Sequence, residues 1–267
     1  MCVMTINFHQ IKKYIQHYFA AKRNGHGVHS PFAYELCEQV FYNHSHFYDF
    51  DELKKIRTTL LEDETEITIE DFGAGSKTFS SNKRKINDLT KKGTSTIKQS
   101  ETLYKLINFL NCKTSVELGT SIGLNTLYMA NANKNGQVYT IEGSNSLFEF
   151  AKTLASKNNI NNIEFIHSKF DEALPKVLQK INSLDLFYVD GNHTYEATIN
   201  YFNLALSKKN NTSVFIFDDI YWSKGMTKAW EEIKKHPSVT LSIDTFNFGL
   251  VFFREEVKEK VGLKFYL

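Results

Sequence analysis

From Glu101 onward, the sequence alternates between amphipathic helical segments and short apolar runs. In chain order the apolar runs read TSVEL, QVYTIEG, IEFIHS, LDLFYVD and TSVFIFDD. Each follows a helical segment, namely ETLYKLINFL, GLNTLYMANAN, SLFEFAKTLASKN, FDEALPKVLQKI and YEATINYFNLALSK. Strands that are apolar over most of their length and separated by helices predict a parallel sheet covered on both faces. The expected fold class is therefore α/β, with a doubly wound sheet.

Two further β-rich runs follow the helical segment GMTKAWEEIKKH. They read VTLSIDTFN and GLVFFRE, and the residues FNFG between them are able to form a turn. Closely spaced strands with no helix between them pair as an antiparallel hairpin. We expect this C-terminal hairpin at the edge of an otherwise mainly parallel sheet.

Residues 1–100 follow a different pattern and are predicted to form a largely helical N-terminal extension. Apolar residues recur at spacings of three and four within residues 5–22, and a further helical segment covers residues 51–62. Between them, Pro31 follows the capping residue Ser30, which is typical of a helix start. The extension is expected to pack against the core or over its mouth.

The last part of the extension is the least patterned. A short β-like run, ITIEDF, is followed by a polar segment from Ser76 to Ser100. The basic run Lys83–Lys85, with the lysines that follow it, is interpreted as a solvated loop. We place the domain boundary after residue 100, so that residues 101–267 form the second domain.

The composition excludes several classes of protein. The 267 residues are 42% hydrophobic, enough for a full core, and the net charge of +2 is too small to indicate a nucleic-acid partner. The three cysteines are widely spaced without a CxxC pair, which excludes a disulfide framework and a zinc ribbon. No run approaches the roughly 18 apolar residues of a membrane span. We expect a cytoplasmic protein that acts on a small molecule, without nucleic-acid or membrane partners; a homodimer is one candidate for its oligomeric state.

Two glycine-containing segments compete as the cofactor-binding loop. DFGAGS, Asp71–Ser76, is followed by a polar segment with no continuous apolar helical face. VELGTSIGLN ends a strand and opens a helix, and Glu142 ends the next strand 19 residues after Gly123. An acid at about this distance accepts hydrogen bonds from the ribose hydroxyls of a bound adenosine. The second segment is therefore predicted to bind the cofactor. DFGAGS is interpreted as a turn, with residues 71–98 near the substrate mouth.

Over residues 100–257 the chain resembles class I S-adenosylmethionine-dependent methyltransferases. VELGTSIGLNTLYMA is similar to their first motif, VYTIEG to the strand with the ribose-binding acid, and FIHSKFDEALP to the strand end that contacts adenine. The terminal hairpin is similar to their antiparallel final strand. The resemblance implies a Rossmann-like methyltransferase sheet that binds S-adenosylmethionine at the carboxyl ends of its strands.

The resemblance also implies which residues hold that cofactor. Glu117 would meet the amino group of its methionine portion, directly or through water, and the loop backbone would pass close beneath it. Ser168 and Phe170 would line the adenine. The full implied set is Glu117, Gly119, Thr120, Ser121, Gly123, Glu142, Gly143, Ser168, Phe170 and Asp190.

Three acids follow the last two parallel strands. Asp190 ends one strand, and Asp218 and Asp219 end the next, so all three are expected at the same sheet edge. Converging carboxylates repel unless a cation or protons offset them, and hard oxygen ligands suit Mg²⁺. The arrangement is similar to metal-dependent small-molecule O-methyltransferases of the catechol and macrocin types, in which the metal holds the acceptor hydroxyl and lowers its pKa. We therefore predict a divalent cation, Mg²⁺ or a similar ion, bound by these three aspartates.

One position departs from the macrocin-type pattern. Where those enzymes tend to have an acid, this chain has Asn192, followed by His193. A neutral amide cannot remove a proton, so His193, together with Asp190, is the candidate catalytic pair. In the alternative interpretation His193 caps the following helix or binds the cofactor carboxylate, and the acids Asp218 and Asp219 cap a turn. A metal-free N-, O- or C-methyltransferase and a non-catalytic cofactor-binding protein stay open as alternative functions.

Overall fold

The N-terminal region is mainly helical. The structure, a computed structural model, describes residues 7–23, 25–70 and 82–266. Its first helices are α1 (Phe8–Ala20), α2 (Pro31–Leu36), which continues into a π-helical turn over Cys37–Phe41, and α3 (Asp49–Glu62). Side-chain caps explain two of the starts. The Asn7 side chain accepts a hydrogen bond from the first turn of α1, and the Ser30 side chain does the same for α2.

A two-stranded sheet follows and corrects one prediction. Strand β1 (Glu66–Thr68) pairs antiparallel with β2 (Lys83–Lys85), and helix α4 (Ile86–Lys92) comes next. The interpretation of this basic run as a solvated loop was wrong, because pairing with β1 buries the middle residue, Arg84. The predicted turn at Asp71–Ser76 lies outside the described residues.

The main sheet has eight strands within the described part of the chain. Five of them are mutually parallel: β3 (Thr114–Leu118), β4 (Gln137–Glu142), β5 (Ile163–His167), β6 (Leu184–Val189) and β7 (Lys209–Asp218). β3 is central, with β4 and β5 on one side and β6 and β7 on the other. The order along the chain therefore reverses beside β3, where sheets of this kind bind ligands. The predicted doubly wound sheet is confirmed.

The predicted C-terminal hairpin is also confirmed. β8 (Leu241–Asp244) and β9 (Phe248–Phe252) pair antiparallel, and β9 pairs antiparallel with β7. A further strand, β10 (Val261–Lys264), which was not predicted, lies parallel to β8 at the edge of the sheet. It is short and contains a glycine and a lysine, so its sequence lacks the apolar run that marks the inner strands.

Helices cover both faces of the sheet. They are α5 (Ile97–Leu110), α6 (Leu124–Ala132), α7 (Asn145–Lys157), α8 (Phe170–Lys180), α9 (Tyr195–Leu206) and α10 (Lys224–Lys235). Successive residues of β6 show the two layers, because Leu186 belongs to the core that contains α5 and α6, and Phe187 to the core that contains α8, α9 and α10. Within the described residues, no helix combines the length and apolar character needed to cross a bilayer. The domain boundary after residue 100 stays a prediction, and α5 runs across it.

Gly249 tests the packing between the hairpin and α10. A Cβ atom at this position would lie 2.7 Å from the ring of Trp230, which is buried in α10. We expect Gly249→Ala to destabilise the fold by about 1–3 kcal/mol, because the ring has no space to move in a close-packed core. Urea unfolding measures the change. Gly262→Ala in β10, where the added Cβ meets its nearest atom at 3.5 Å, is the matched control. Equal effects of the two substitutions would contradict this account.

Candidate active site

The loop after β3 and the loop after β6 meet at the point where the strand order reverses. A Cβ atom at Gly119 would lie 2.1 Å from the carbonyl oxygen of Asp190, and Gly119 has a φ of +100°. Both observations require glycine there. The Asp190 N–H donates to the carbonyl of Leu118 at 2.9 Å, which continues the strand pairing up to the site. The two loops are thus held in direct backbone contact.

The start of α6 is equally restricted. Gly123 is its N-cap with a φ of +85°, and a Cβ there would lie 3.0 Å from that of Ala151. Ser121 also has a positive φ, and its N–H donates to the Glu142 carboxylate at 2.9 Å. These contacts explain the small residues by close packing within the protein, and the prediction that this backbone passes close to a ligand stays a prediction.

Glu142 lies at the end of β4 and faces this loop. Its second carboxylate oxygen accepts from the Ser144 N–H at 2.9 Å, so each oxygen receives one backbone donor. Burial raises the pKa of Glu142 above its ordinary value, and the backbone donors oppose that rise. Each carboxylate oxygen has two lone pairs, so both retain capacity for a further donor such as a sugar hydroxyl.

An open cleft of about 450 Å³ joins these strand ends. This volume is within the usual range for small-molecule sites. Of the predicted residues, seven line it: Gly119, Ser121, Glu142, Gly143, Phe170, Asp190 and His193. Asn192, where the chain departs from the macrocin-type pattern, and Gly93, in the segment predicted near the substrate mouth, also line it. The sequence did not indicate the other lining residues, which are Ile69, Glu70, Leu147, Lys169, Asp171, Gly191 and Tyr201.

Four predicted cofactor residues are not in the lining of the cleft. Gly123 caps α6, and Ser168 lies at the end of β5, where its N–H donates to the Glu142 carbonyl at 3.0 Å. Thr120 is buried, with its hydroxyl 2.6 Å from that of Thr140. Glu117 is fully buried beneath the loop. These residues shape the cleft from behind, and their predicted contacts with a cofactor stay predictions.

Glu117 forms a buried polar cluster of its own. One carboxylate oxygen accepts from the hydroxyls of Thr126 at 2.5 Å and Thr140 at 2.6 Å. Its other oxygen has no hydrogen-bond partner among the residues that the structure describes. A buried carboxylate oxygen in this state is suited to an ammonium group or to a water that bridges to one. The chemistry of this acid therefore fits the amino group that the resemblance implies.

The three predicted metal aspartates lie at neighbouring strand ends, as expected. The hydroxyl of Tyr188, one layer below them, donates to Asp218 at 2.9 Å and lies 3.4 Å from an oxygen of Asp190. The other Asp218 oxygen accepts from the Asp219 N–H at 2.9 Å. Burial and the neighbouring negative charges raise the pKa of Asp190 well above its ordinary value and that of Asp218 to about 6.

These carboxylates do not form a ready metal site. Within the described residues, no group of three or more His, Cys, Asp or Glu side chains is arranged so that it could hold a metal ion. The oxygen atoms are of the hard type that Mg²⁺ prefers, but Tyr188 lies between Asp190 and Asp218 and both oxygens of Asp218 accept internal hydrogen bonds. The carboxylate oxygens are of a type that suits a magnesium ion, but their positions in this structure do not form a site for one.

His193 lies above the aspartates and in the cleft. Its Nε2 atom is 3.8 Å from a carboxylate oxygen of Asp190 and 3.9 Å from one of Asp219. Its ring centroid is 6.4 Å from that of Trp222, which closes one side. Burial lowers the pKa of His193. The side chain that caps the following helix, α9, is that of Thr194, so the alternative role of His193 as a helix cap is not what the structure shows.

Tyr188 belongs to a polar network that the sequence did not indicate. Asn125 donates to Ser95 at 2.8 Å and to the Tyr188 hydroxyl at 3.3 Å, and Ser100 donates to Asn125 at 2.7 Å. All four side chains are buried. The network connects the starts of α5 and α6 to Asp218, and thereby fixes the acidic strand ends from beneath.

Comparison with known proteins identifies the core. Residues 116–220 match a family model described as a methyltransferase domain. An uncharacterized protein, R132, of Acanthamoeba polyphaga mimivirus is 30% identical over 132 residues, which cover 45% of this chain and 58% of that protein. This chain therefore spans less than two thirds of that curated relative.

Two solved structures share the fold. The O-methyltransferase TomG from Streptomyces achromogenes, in complex with S-adenosylmethionine, has a TM-score of 0.53 at 18% identity, with 60% of this chain and 82% of that chain covered. The O-methyltransferase from Bacillus cereus, in complex with S-adenosylhomocysteine, has a TM-score of 0.52 at 17% identity, with 79% and 93% covered. The predicted class I, Rossmann-like methyltransferase fold is thereby confirmed, and residues 116–220 are similar to a methyltransferase domain.

The buried position of Glu117 predicts a pH-dependent stability. Burial raises its pKa from the ordinary 4.5 to about 7. Between these values the folded chain retains a proton that the unfolded chain has lost, so the contribution of Glu117 to stability falls as pH rises through that window. We expect Glu117→Gln to gain on the order of 3 kcal/mol relative to the unmodified chain between pH 4.5 and pH 8, because it removes the cost of a buried charge.

Urea unfolding at pH 4.5 and pH 8 measures this difference. Glu164→Gln on β5, whose carboxylate is exposed and paired with Lys180, is the control and should leave the pH dependence unchanged. A difference between Glu117→Gln and the unmodified chain that does not vary with pH would show that folding does not raise the pKa of Glu117.

Proposed function

We propose that this chain is an S-adenosylmethionine-dependent methyltransferase that methylates a hydroxyl oxygen of a small molecule. The observation that carries the proposal is one cleft in which the glycine loop after β3 and Glu142 lie on one side and Asp190 and His193 on the other. The matched methyltransferase domain and the two O-methyltransferase structures support the same activity. Because the chain spans only part of its curated relative, the activity and the substrate are proposals.

The residues present fit this cofactor. Glu142 has acceptor capacity for the ribose hydroxyls, and the close contacts of Gly119 with Asp190 and of Gly123 with Ala151 fix the loop whose residues Gly119 and Ser121 line the cleft. Phe170 lines the cleft next to Gly191 and gives an apolar surface for a flat ring. When bound, S-adenosylmethionine supplies a methyl group on a positively charged sulfur, and that bond breaks as the acceptor oxygen forms its new bond to carbon.

The role proposed for His193 is removal of the acceptor proton. Its imidazole would accept the proton of the hydroxyl while that oxygen attacks the methyl carbon, so that the sulfur leaves as a neutral thioether and the proton stays on His193. The carboxylates of Asp190 and Asp219, both within 4 Å of Nε2, stabilise the imidazolium that forms.

Metal assistance by Asp190, Asp218 and Asp219 stays a prediction. Their carboxylates share one strand-end region, which supports it, and the hydrogen bonds of Asp218 and Tyr188 would have to rearrange to admit a cation. Calorimetry with MgCl₂, on the chain loaded with S-adenosylhomocysteine, tests this prediction directly. Heat of binding that is absent from Asp218→Asn supports a metal site, and its absence from the unmodified chain refutes one at these residues.

Glu142 provides a test of cofactor binding. We expect Glu142→Gln to weaken S-adenosylhomocysteine binding by about 10- to 100-fold, because hydrogen bonds to a charged acceptor contribute about 1.5–3 kcal/mol. Isothermal titration calorimetry measures the affinity. Glu149→Gln, an exposed residue on α7, is the matched control and should bind normally. Unchanged affinity in Glu142→Gln, or no binding by the unmodified chain, would contradict the proposed cofactor site.

His193 provides a test of turnover. We expect His193→Gln to reduce methyl transfer about 10²- to 10⁴-fold while S-adenosylhomocysteine affinity stays within a factor of a few, since general bases contribute to the rate rather than to cofactor binding. The assay transfers the labelled methyl group of S-adenosylmethionine to a panel of phenols, catechols and sugar alcohols, with amines for comparison. His46→Gln, at an exposed position on the extension, is the control.

The acceptor panel separates the remaining functions. Methylation of amines alone would replace the oxygen assignment with nitrogen. Cofactor binding without turnover on any acceptor would favour a non-catalytic binding protein. Full activity of His193→Gln would show that the acceptor proton leaves by another route.

A further inference from the structure

The apolar side of helix α1 is exposed, which is unusual for a surface helix. Its apolar side chains face outward: Phe8 is 79% exposed, Phe19 is 82% exposed, and Ile11, Ile15 and Tyr18 are also exposed. Amphipathic helices normally bury this side against their own core. The exposed apolar residues of α1 are called the α1 stripe below, and they consist of Phe8, Ile11, Tyr14, Ile15, Tyr18 and Phe19.

The inner side of α1 is held mainly by polar contacts, together with the ring of Tyr14, which packs edge-on against that of Phe246. His17 is buried with its Nδ1 atom 3.2 Å from a carboxylate oxygen of Asp244, and its Nε2 atom is 3.0 Å from the carbonyl of Phe265. His9 lies 2.8 Å from the hydroxyl of Thr227. These contacts fix the rotation of α1 about its axis. The outward direction of the stripe is therefore part of the fold.

The stripe has a spacing that is the same from either end. Phe8, Ile11, Ile15 and Tyr18 are separated by three, four and three residues, which is the spacing of a heptad seam. Both ends are aromatic and both middle positions are isoleucine. In an antiparallel pair of identical helices, Ile11 would face Ile15 of the other copy, and Phe8 would face Tyr18, each contact occurring twice. A two-fold interface requires this kind of self-complementary surface.

We propose that the α1 stripe is the two-fold interface between two copies of this chain. Aromatic side chains present about 150–250 Å² each, so the exposed fractions of the stripe sum to on the order of 600 Å² of apolar surface. A standard interface buries about 800 Å² on each partner. The adjoining Tyr266, whose ring packs edge-on against that of Tyr18, extends the surface toward that area.

The charges around the stripe favour a second copy over a lipid surface. Helices that lie on anionic membranes use rows of lysine and arginine side chains to reach the headgroups. Here Lys13 lies 5.6 Å from the ring of Tyr221, and Arg23 lies about 5 Å from the rings of Tyr18 and Tyr266. These two cations are engaged with aromatic side chains of the same chain, and the exposed Lys12 is the other lysine of α1, so the helix does not carry a row of free cations. An uncharged, self-complementary stripe is better suited to the same stripe on a second copy of the chain than to an anionic lipid surface.

The interface would also stabilise the rim of the active site. The Asn7 side chain donates to the carbonyl of Trp222 at 3.1 Å, and Trp222 is the residue beside His193. A partner that fixes α1 therefore limits the movement of the loop that follows Asp219. This inference does not depend on the reaction proposed above.

Sedimentation velocity of the full chain, from 1 to 100 µM, tests the interface. We expect a dimer, and we expect Ile11→Asp with Ile15→Asp to weaken it by on the order of 100-fold or more, because two central apolar contacts become buried charges. Tyr48→Ser is the matched control, since Tyr48 is 95% exposed but lies outside the stripe. Normal thermal unfolding and normal S-adenosylhomocysteine binding of each variant show that its fold is intact.

Each outcome decides the proposal. A dimer lost in the double variant and retained in Tyr48→Ser supports it. A monomer at 100 µM, or a dimer that the double variant leaves unchanged, overturns it. Flotation with vesicles of phosphatidylglycerol and phosphatidylcholine is run in parallel. A monomer that floats with these vesicles, and stops doing so in the double variant, would assign the stripe to a lipid surface instead.

Discussion

The close approach of Gly119 to the carbonyl of Asp190 determines the geometry of the whole cleft. The carbonyl oxygen occupies the position that a Cβ of residue 119 would take, and the hydrogen bond from Asp190 to Leu118 keeps the two strand ends in register. The loop after β3 therefore cannot move without the loop that bears Asp190 and His193. In the proposed function, this backbone contact would place a cofactor on the first loop beside an acceptor near the second loop.

Buried acids are the second physical theme of this site. Glu117 and Asp218 are buried and Asp190 is partly buried at the cleft, and desolvation raises the pKa of each. Hydroxyl groups of Thr126, Thr140 and Tyr188 supply the compensating hydrogen bonds. Such an arrangement costs stability, and in proteins that cost is typical of sites that bind a cationic ligand or move protons. A sulfonium cofactor with an ammonium group is a ligand of that kind.

The sequence predicted the parts of this structure that follow from local pattern. Alternating apolar runs and amphipathic helices identified the five parallel strands. The spacing from Gly123 to Glu142 selected a loop that does line the cleft, and its role in cofactor binding stays a prediction. Residues whose position depends on distant pairing were missed. Arg84 is buried only because β2 pairs with β1, and Glu70 lines the cleft only because the extension reaches it. In the sequence, Tyr188 is one apolar position of an ordinary strand. Its role in holding the acidic strand ends is evident only from the hydrogen bonds of its hydroxyl in the folded structure.

The N-terminal helix shows why an apolar pattern predicts a buried face without telling which surface buries it. Its spacing of three and four residues was interpreted as a helix packed on the core, and the helix is present. Its core-facing side, however, is the side with His9, Lys13 and His17. On the C-terminal half of the chain, His9 contacts a hydroxyl, Lys13 an aromatic ring and His17 a carboxylate. Once these polar contacts set the rotation, the apolar side must face away. Tyr14 and Tyr18 pack only in part against Phe246 and Tyr266, so the exposed remainder of the stripe is apolar surface that a second molecule can cover.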